Sequence, residues 1–510
     1  MTYPRFRKVL IANRGEIARR VIRACHELGI RAVAVYSDVD ERAPWVREAG
    51  EAYPLHGSTA ADTYLNRDKL LTIATNSNAD AIHPGYGFLS ENADFAAACA
   101  RAGFIFIGPP PAAMRALGSK AAARAIAEHH GVPVVPGVDG LDKSDDELAA
   151  AAGALGYPVL IKASAGGGGK GMRVVHEPAQ LRDALQAARQ EAQSAFGDPH
   201  VLLEKYFTEI HHVEVQVLGD LHGTLLHLYE RECSVQRRHQ KIIEESPAPI
   251  IGGDAARREA ICAAAVRLAA AAGYSNAGTV EFIVDGAGGF YFLEMNTRLQ
   301  VEHPITEAVT GIDLVNWQLR VAAGEPLPFT QNDIRPRGHA IEARVYAEDP
   351  ALGFLPSIGQ IALYAPPAGP GVRVDDGIES GSAVSPYYDP MLAKVIAGGQ
   401  DRAEAIRKLD RALRETVVLG VTTNIPYLRA ILAHPAFVAG HTSTNFLAEH
   451  LPDWSPPAEA SAAEWVAAAV WEELGRTADS GVGNAGQATA DGRTSYDPWA
   501  TAVGWRNVGG

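Results

Sequence analysis

The chain has 510 residues, 47% of them hydrophobic and 21% charged, which fits a globular protein long enough for two to four domains and a large core. A net charge of −14 and a pI near 5.7 argue against a dedicated nucleic-acid binder, so any anionic ligand must meet locally placed cations. Cys25, Cys99, Cys233 and Cys262 are too scattered for a zinc site or a disulfide framework, and no stretch reads as a signal peptide or membrane span, so a reducing cytoplasm is expected.

Residues 8 to 37 read as a strand (KVLIAN), a helix opening near Gly15 (EIARRVIRACHELG) and a second strand (RAVAVYS). This is a parallel βαβ unit and predicts a doubly wound domain. In DAIHPGYGFLSEN and FIFIGPP short apolar strands meet Gly and Pro loops, as at the carboxyl ends of parallel strands, and the domain is expected to close near residue 115. From 119 to about 330 hairpins mix with helices, and from 335 to 450 short strands precede two helices, which predicts two α+β units. After Leu451 a short helix pattern (AEWVAAAVWEELG) leads into DSGVGNAGQATADGR, which reads as a linker, with Trp499 and Trp505 beyond it as docking candidates.

VLIKASAGGGGKGMRVVHE contains Gly166, Gly168 and Gly171 in a nominal G-x-G-x-x-G, but an apolar strand-like run follows where a dinucleotide fingerprint needs a helix. The residue after Lys170 is Gly171, not Ser or Thr, so a Walker A loop is excluded as well. The expected structure is a hairpin flap whose bare backbone N–H groups can close on phosphates, with Lys162 and Lys120 supplying charge.

In GTVEFIVDGAGGFYFLEMN a four-residue GAGG loop would pair Asp285 with Phe290 and set Glu281 opposite Glu294. Facing carboxylates call for a cation, and all-oxygen donors with Asn296 adjoining suit Mg²⁺ or Mn²⁺ shared with nucleotide phosphates. ERECSVQRRHQKIIEESPA concentrates Arg237, Arg238, His239 and Lys241 between acids, as in a compact anion site. Read as an extended run, it puts Arg237, His239 and Lys241 on one side and Gln236, Arg238 and Gln240 on the other. The same alternation in LEMNTRLQVEHPITE aligns Glu294, Asn296, Arg298, Gln300 and Glu302 along one face.

IANRGEIARR, HPGYGFLSEN, IKASAGGGGKGM, ERECSVQRRHQKIIEESPA, FLEMNTRLQVEHPITE and IEARVYAEDP, in this order over roughly residues 5 to 450, resemble biotin carboxylase, an ATP-grasp enzyme. The resemblance implies a mixed α/β and α+β multidomain fold. Its parts are an N-terminal doubly wound parallel sheet (1–118), an ATP-grasp domain (119–330) with a Gly-rich lid at about 132–204, a C-terminal α+β domain (331–452) and a docking tail (453–510). The implied activity is ATP-dependent carboxylation of a biotin ureido nitrogen by bicarbonate through carboxyphosphate, with biotin carried on another chain.

By the same resemblance, Lys120, Lys162, Gly166, Gly167, Gly168, Gly169, Gly171, Glu204, Lys205, His212, Gln236 and His239 would hold ATP, and Glu281, Glu294 and Asn296 the metal. Lys241, Arg298, Gln300, Val301 and Glu302 would hold bicarbonate, with Glu302 as its general base, and Arg344 would stabilise the biotin enolate. A biotin carboxyl carrier protein, carboxyltransferase subunits and a homodimer are the implied partners. Relatives with biotin on the same chain have Met-Lys-Met near the C-terminus. Met1, Met114, Met172, Met295 and Met391 lack that context, so a separate carrier or a cut chain is expected. The rivals are another ATP-grasp ligase, such as one making carbamoyl phosphate, and a nucleotide sensor without chemistry. Glu302 and Arg344 together weigh against both.

Overall fold

The computed structural model describes residues 6–163, 172–196, 199–238, 240–456, 462–463 and 465–470. Residues 1–454 form one compact unit and 455–510 a second, in which 465–470 are helical. Among the described residues no helix is long and apolar enough to cross a membrane.

The first sheet is parallel and ordered β3-β2-β1-β4-β5, from β1 (Lys8–Ile11), β2 (Arg31–Tyr36), β3 (Gly50–Pro54), β4 (Ala81–His83) and β5 (Ile105–Phe106). β1 is buried along its whole length, as a strand covered on both faces must be, which is why KVLI reads as one unbroken apolar run. Helix Gly15–Glu27 crosses from β1 to β2 and buries Ile17, Ala18, Val21, Ile22, Ala24 and Cys25. At the carboxyl ends of β1 and β4, the Asn13 amide donates to the carbonyls of Pro84 and Tyr86, both at 2.7 Å. Gly85 has φ +63°, and a Cβ there would fall 2.7 Å from the Asn13 amide nitrogen, so the HPGYG loop needs its first glycine.

A four-stranded sheet ordered β6-β9-β7-β8 follows, from β6 (Gly137–Asp139), β7 (Val159–Ala163), β8 (Arg173–Val175) and β9 (Val201–Lys205). β7 and β8 pair antiparallel, Val159 with Val175, so the flanks of the glycine loop form the expected hairpin. The loop itself, 164–171, lies outside the described residues.

The largest sheet has eight strands. These are β10 (Ile210–Gly219), β11 (Leu225–Arg237), β12 (Gln240–Ser246), β13 (Asn276–Asp285), β14 (Phe290–Asn296), β15 (His339–Tyr346), β16 (Val372–Asp376) and β17 (Met391–Gly399). Their order is β14-β13-β10-β11-β12-β15-β17-β16. The two expected α+β units therefore share one sheet, joined where β12 pairs with β15. On β10, Val213, Val215 and Val217 pack against helix Ala255–Ala271 through Ile261, Ala265 and Leu268. The alternate residues His212, Glu214 and Gln216 consequently share the opposite face.

Three local expectations are corrected. The β13–β14 hairpin pairs Val284 with Phe290, one residue off the expected Asp285–Phe290, because Asp285 closes the turn by accepting from the Gly288 and Gly289 amides. A bulge before Glu294 then restores Glu281 opposite Glu294, so the conclusion holds by another route. The basic cluster is a hairpin, not one extended run. Gln236 faces Lys241 and Arg237 faces Gln240 across a turn at Arg238 (φ 49°), which puts Arg237 and Lys241 on opposite faces. Finally, extended structure stops at Asn296, and residues 297–302 form an irregular turn into helix His303–Thr310.

Candidate active site

The polar face of β10, the start of β12, β13 and the turn 297–302 converge on the Lys241 ammonium. Lys241 Nζ stands 2.6 Å from Glu214 Oε2, 2.6 Å from Glu302 Oε1 and 3.1 Å from Glu281 Oε1. Burial alone would lower the Lys241 pKa, but these carboxylates outweigh it and raise it well above its usual value. Glu302 is fully buried, and its other oxygen takes a hydrogen bond from Arg344 Nη2 at 2.9 Å. Burial pushes the Glu302 carboxyl up, yet Lys241, Arg344 and Arg231 hold it well below the usual carboxylate range.

Glu281 is ringed by donors. Asn296 Nδ2 donates to it at 2.8 Å and Gln300 Nε2 at 3.3 Å, and His212 Nε2 stands 3.1 Å away. Burial raises its pKa, and Lys241 and His212 more than reverse that, so Glu281 is an anion. Arg298 bonds Asn296 Oδ1 and Gln300 Oε1, both at 3.0 Å, and is anchored by Glu91 of HPGYGFLSEN at 2.9 Å. Two stretches far apart in sequence thus meet at one guanidinium. The turn at 297–302 does what a straight strand was expected to do. It brings Asn296, Arg298, Gln300 and Glu302 to one centre, with the Val301 carbonyl turned back to accept from Lys394 Nζ at 2.7 Å.

The remaining expected residues lie around this centre. Glu294 is opposite Glu281 in the ladder, and its carboxylate is 3.4 Å from the largely exposed Lys120. Lys162 pairs with Glu204, and Lys205 donates to the carbonyls of Gly156 at 2.7 Å and Tyr157 at 3.3 Å. Gln236 sits across the ladder from Lys241. Gly166, Gly167, Gly168, Gly169, Gly171 and His239 lie outside the described residues. Glu281, Glu294 and Asn296 are oxygen donors on neighbouring strands, two of them carboxylates, and that set fits a hard divalent cation.

Sequence reasoning missed Glu214, Arg231 and Glu244. Arg231 is fully buried, donates to Glu214 at 2.6 Å and to Gln216 at 2.8 Å, and so fixes the carboxylate that Lys241 bonds. The signal was available in HHVEVQV, where polar residues alternate with valines that must face a core.

Three family models match the chain: "Biotin carboxylase, N-terminal domain" over residues 5–114, "Carbamoyl-phosphate synthase L chain, ATP binding domain" over 119–330 and "Biotin carboxylase C-terminal domain" over 342–449. The biotin carboxylase of Halalkalibacterium halodurans is 51% identical over 446 residues, covering 88% of this chain and 98% of that one. The mitochondrial methylcrotonoyl-CoA carboxylase subunit alpha of Rattus norvegicus is 50% identical over 88% of this chain, which spans 63% of that longer protein. Among solved structures, the biotin carboxylase domain dimer of Hydrogenobacter thermophilus 2-oxoglutarate carboxylase, in complex with MgADP, ADP and bicarbonate, superposes with a TM-score of 0.80 at 46% identity, covering 88% of this chain and 99% of that one. A buried carboxylate between two cations, beside an oxygen-donor pair on an ATP-grasp sheet, agrees with these likenesses in one conclusion: the chain belongs to the biotin carboxylases, a family of ATP-dependent ligases.

Proposed function

We propose that this protein uses ATP and bicarbonate to carboxylate biotin on a separate carrier protein, the first half-reaction of an acyl-CoA carboxylase. One observation carries the reading. The fully buried Glu302 carboxylate is bonded on one oxygen by Lys241 at 2.6 Å and on the other by Arg344 at 2.9 Å. Both cations are shared with other carboxylates, Lys241 with Glu214 and Glu281 and Arg344 with Glu244, and together they keep Glu302 ionised in a buried site where it can take a proton. Bicarbonate entering between Lys241, Arg298 and Gln300 takes a share of those cations. The proton affinity of Glu302 then rises, which suits a base that removes the bicarbonate proton as its oxygen attacks the γ-phosphorus.

Lys120 and Lys162, with the glycine loop 166–171, His212, Gln236 and His239, would hold the phosphates, and Glu204 and Lys205 would lie near the base. Glu281, Glu294 and Asn296 would hold Mg²⁺, which when bound offsets charge on the transferred phosphoryl group. Carboxyphosphate forms as the bond from the γ-phosphorus to the ADP oxygen breaks, the lid at about 132–204 shields it from water, and its breakdown to CO₂ and phosphate leaves the phosphate to take the biotin ureido proton. Arg344 then meets the developing negative charge on the biotin carbonyl oxygen.

The relatives support the nucleotide, the metal and bicarbonate as ligands, but their acceptors differ, methylcrotonoyl-CoA in one name and 2-oxoglutarate in another. The choice of acceptor therefore belongs to a carboxyltransferase partner. Partner chains, a homodimer, a cytoplasmic location and the domain limits 1–118, 119–330, 331–452 and 453–510 belong to the same proposal. The test is ATP hydrolysis that requires bicarbonate and rises with free biotin. A different ATP-grasp ligase would show no response to biotin, and a sensor would show no turnover.

A further inference from the structure

Two more carboxylates stand on neighbouring strands beside Arg344. Glu244 on β12 and Glu342 on β15 are direct cross-strand partners and are fully buried. Glu244 Oε1 accepts from Arg344 Nε at 2.5 Å. Among the described residues, the other Glu244 oxygen and both Glu342 oxygens accept no hydrogen bond. Lys394 lowers the cost of charge on Glu342 but makes its own bonds elsewhere, with Nζ 3.1 Å from Glu16 and donating to the Val301 carbonyl at 2.7 Å.

Like charges directly opposite on a ladder destabilise it, and two buried carboxylates with one guanidinium between them cannot both stay ionised. We propose that Glu244 and Glu342 share one proton, and that this pair positions Arg344 by setting how firmly its guanidinium is held back from an incoming biotin. With Glu244 ionised, Arg344 is gripped by Glu244 and Glu302 together. When Glu244 carries the proton, only Glu302 opposes it and the guanidinium is released to the substrate. The proton exchanges with solvent, and the pair makes or breaks no bond in a substrate. The groups facing Glu244 are Arg344, Glu302, Lys241 and Glu342, and those facing Glu342 are Lys394, Glu244, Arg344 and Glu302. Burial pushes Glu244 up to about 7 and Glu342 well above the usual carboxylate range, in keeping with a single shared proton. The pair rests on the reading of Arg344 as the biotin residue only for its consequence, not for the proton.

The experiment uses the full chain, Glu342→Gln and Glu244→Gln, with free biotin as probe. Infrared difference spectra of parent against Glu342→Gln at pH 8 are expected to show a protonated carboxyl stretch in the parent that the variant loses. The ionisation of Glu244 in the pH profile of kcat/KM for biotin is expected to persist in Glu342→Gln, whose amide stands in for the protonated acid, and to vanish in Glu244→Gln. A profile unchanged in Glu244→Gln, or no protonated carboxyl in the parent above pH 7, overturns the proposal. Should both variants misfold, the parent's infrared band with labelled glutamate still decides it. Absence of bicarbonate-dependent turnover in the parent would defeat the functional reading instead, and leaves the band to judge the pair separately.

Discussion

Lys241 concentrates the chemistry of the site on one atom, because its ammonium contacts Glu214, Glu281 and Glu302 at once. Replacing it by Met leaves three buried carboxylates short of a cation. Lys241→Met is expected to lower stability by about 3–5 kcal/mol and bicarbonate-dependent hydrolysis by roughly 10²-fold, read by denaturant unfolding and by phosphate release. The acids beside it oppose one another in their response to pH. Glu302 titrates below its ordinary value of 4.5, so its contribution to stability is complete above that value and is lost as the pH falls below it. Glu244 titrates above 4.5, so its contribution is complete below 4.5 and is lost as the pH rises towards about 7. Thermal melts should therefore show Glu302→Gln losing less stability on acidification below pH 4.5 than the parent, and Glu244→Gln losing less between pH 4.5 and 7. The residue types of the site were legible in the sequence because FLEMNTRLQVEHPITE and ERECSVQRRHQKIIEESPA carry them in dense alternation. Glu91, Glu214 and Glu244 were not singled out, since each contributes one carboxylate whose partner lies on another element.

At the level of elements, local apolar spacing on either side of the glycine run foretold the β7–β8 hairpin. It misjudged turns. The Asp285 turn and the bulge before Glu294 depend on backbone hydrogen bonds to a side chain, and the turn at Arg238 reverses a run whose composition gives no Gly or Pro cue. The turn at 297–302 was hidden because the Glu91 bonds to Thr297 N at 3.0 Å and to Arg298 at 2.9 Å come from a distant loop. A lysine of the four-stranded sheet offers an element-scale test. Lys162 on β7 pairs with Glu204 on β9, and in the proposed reaction exchanges that partner for a phosphate. Lys162→Met is expected to raise KM for ATP by about tenfold while KM for bicarbonate stays within about twofold, as loss of one charge-assisted bond predicts.

On the scale of the molecule, the eight-stranded sheet makes residues 119–330 and 342–449 one piece of architecture, because β12 completes its hydrogen bonds on β15. Buried side-chain contacts tie the same seam, with Glu245 bonded by Arg402 at 2.6 Å and by His339 at 2.7 Å. A fragment ending at residue 330 bares the β12 edge and is expected to aggregate on expression, whereas 1–454 stays monodisperse by light scattering. The parallel first sheet was foreseen from its βαβ pattern, but the continuity of the large sheet was not, since nothing local in GHAIEARVYAE marks its partner as KIIEES. What the assembled sheet does is gather Glu214, Glu281 and Glu302 around one ammonium. The most direct measurement is isotope transfer from ¹⁸O-bicarbonate during ATP hydrolysis. Attack by a bicarbonate oxygen on the γ-phosphorus leaves one ¹⁸O in the inorganic phosphate, and that label is the expected result. Phosphate released at full rate without the label would mean that water is the nucleophile, and would contradict the assignment of Glu302 and Lys241.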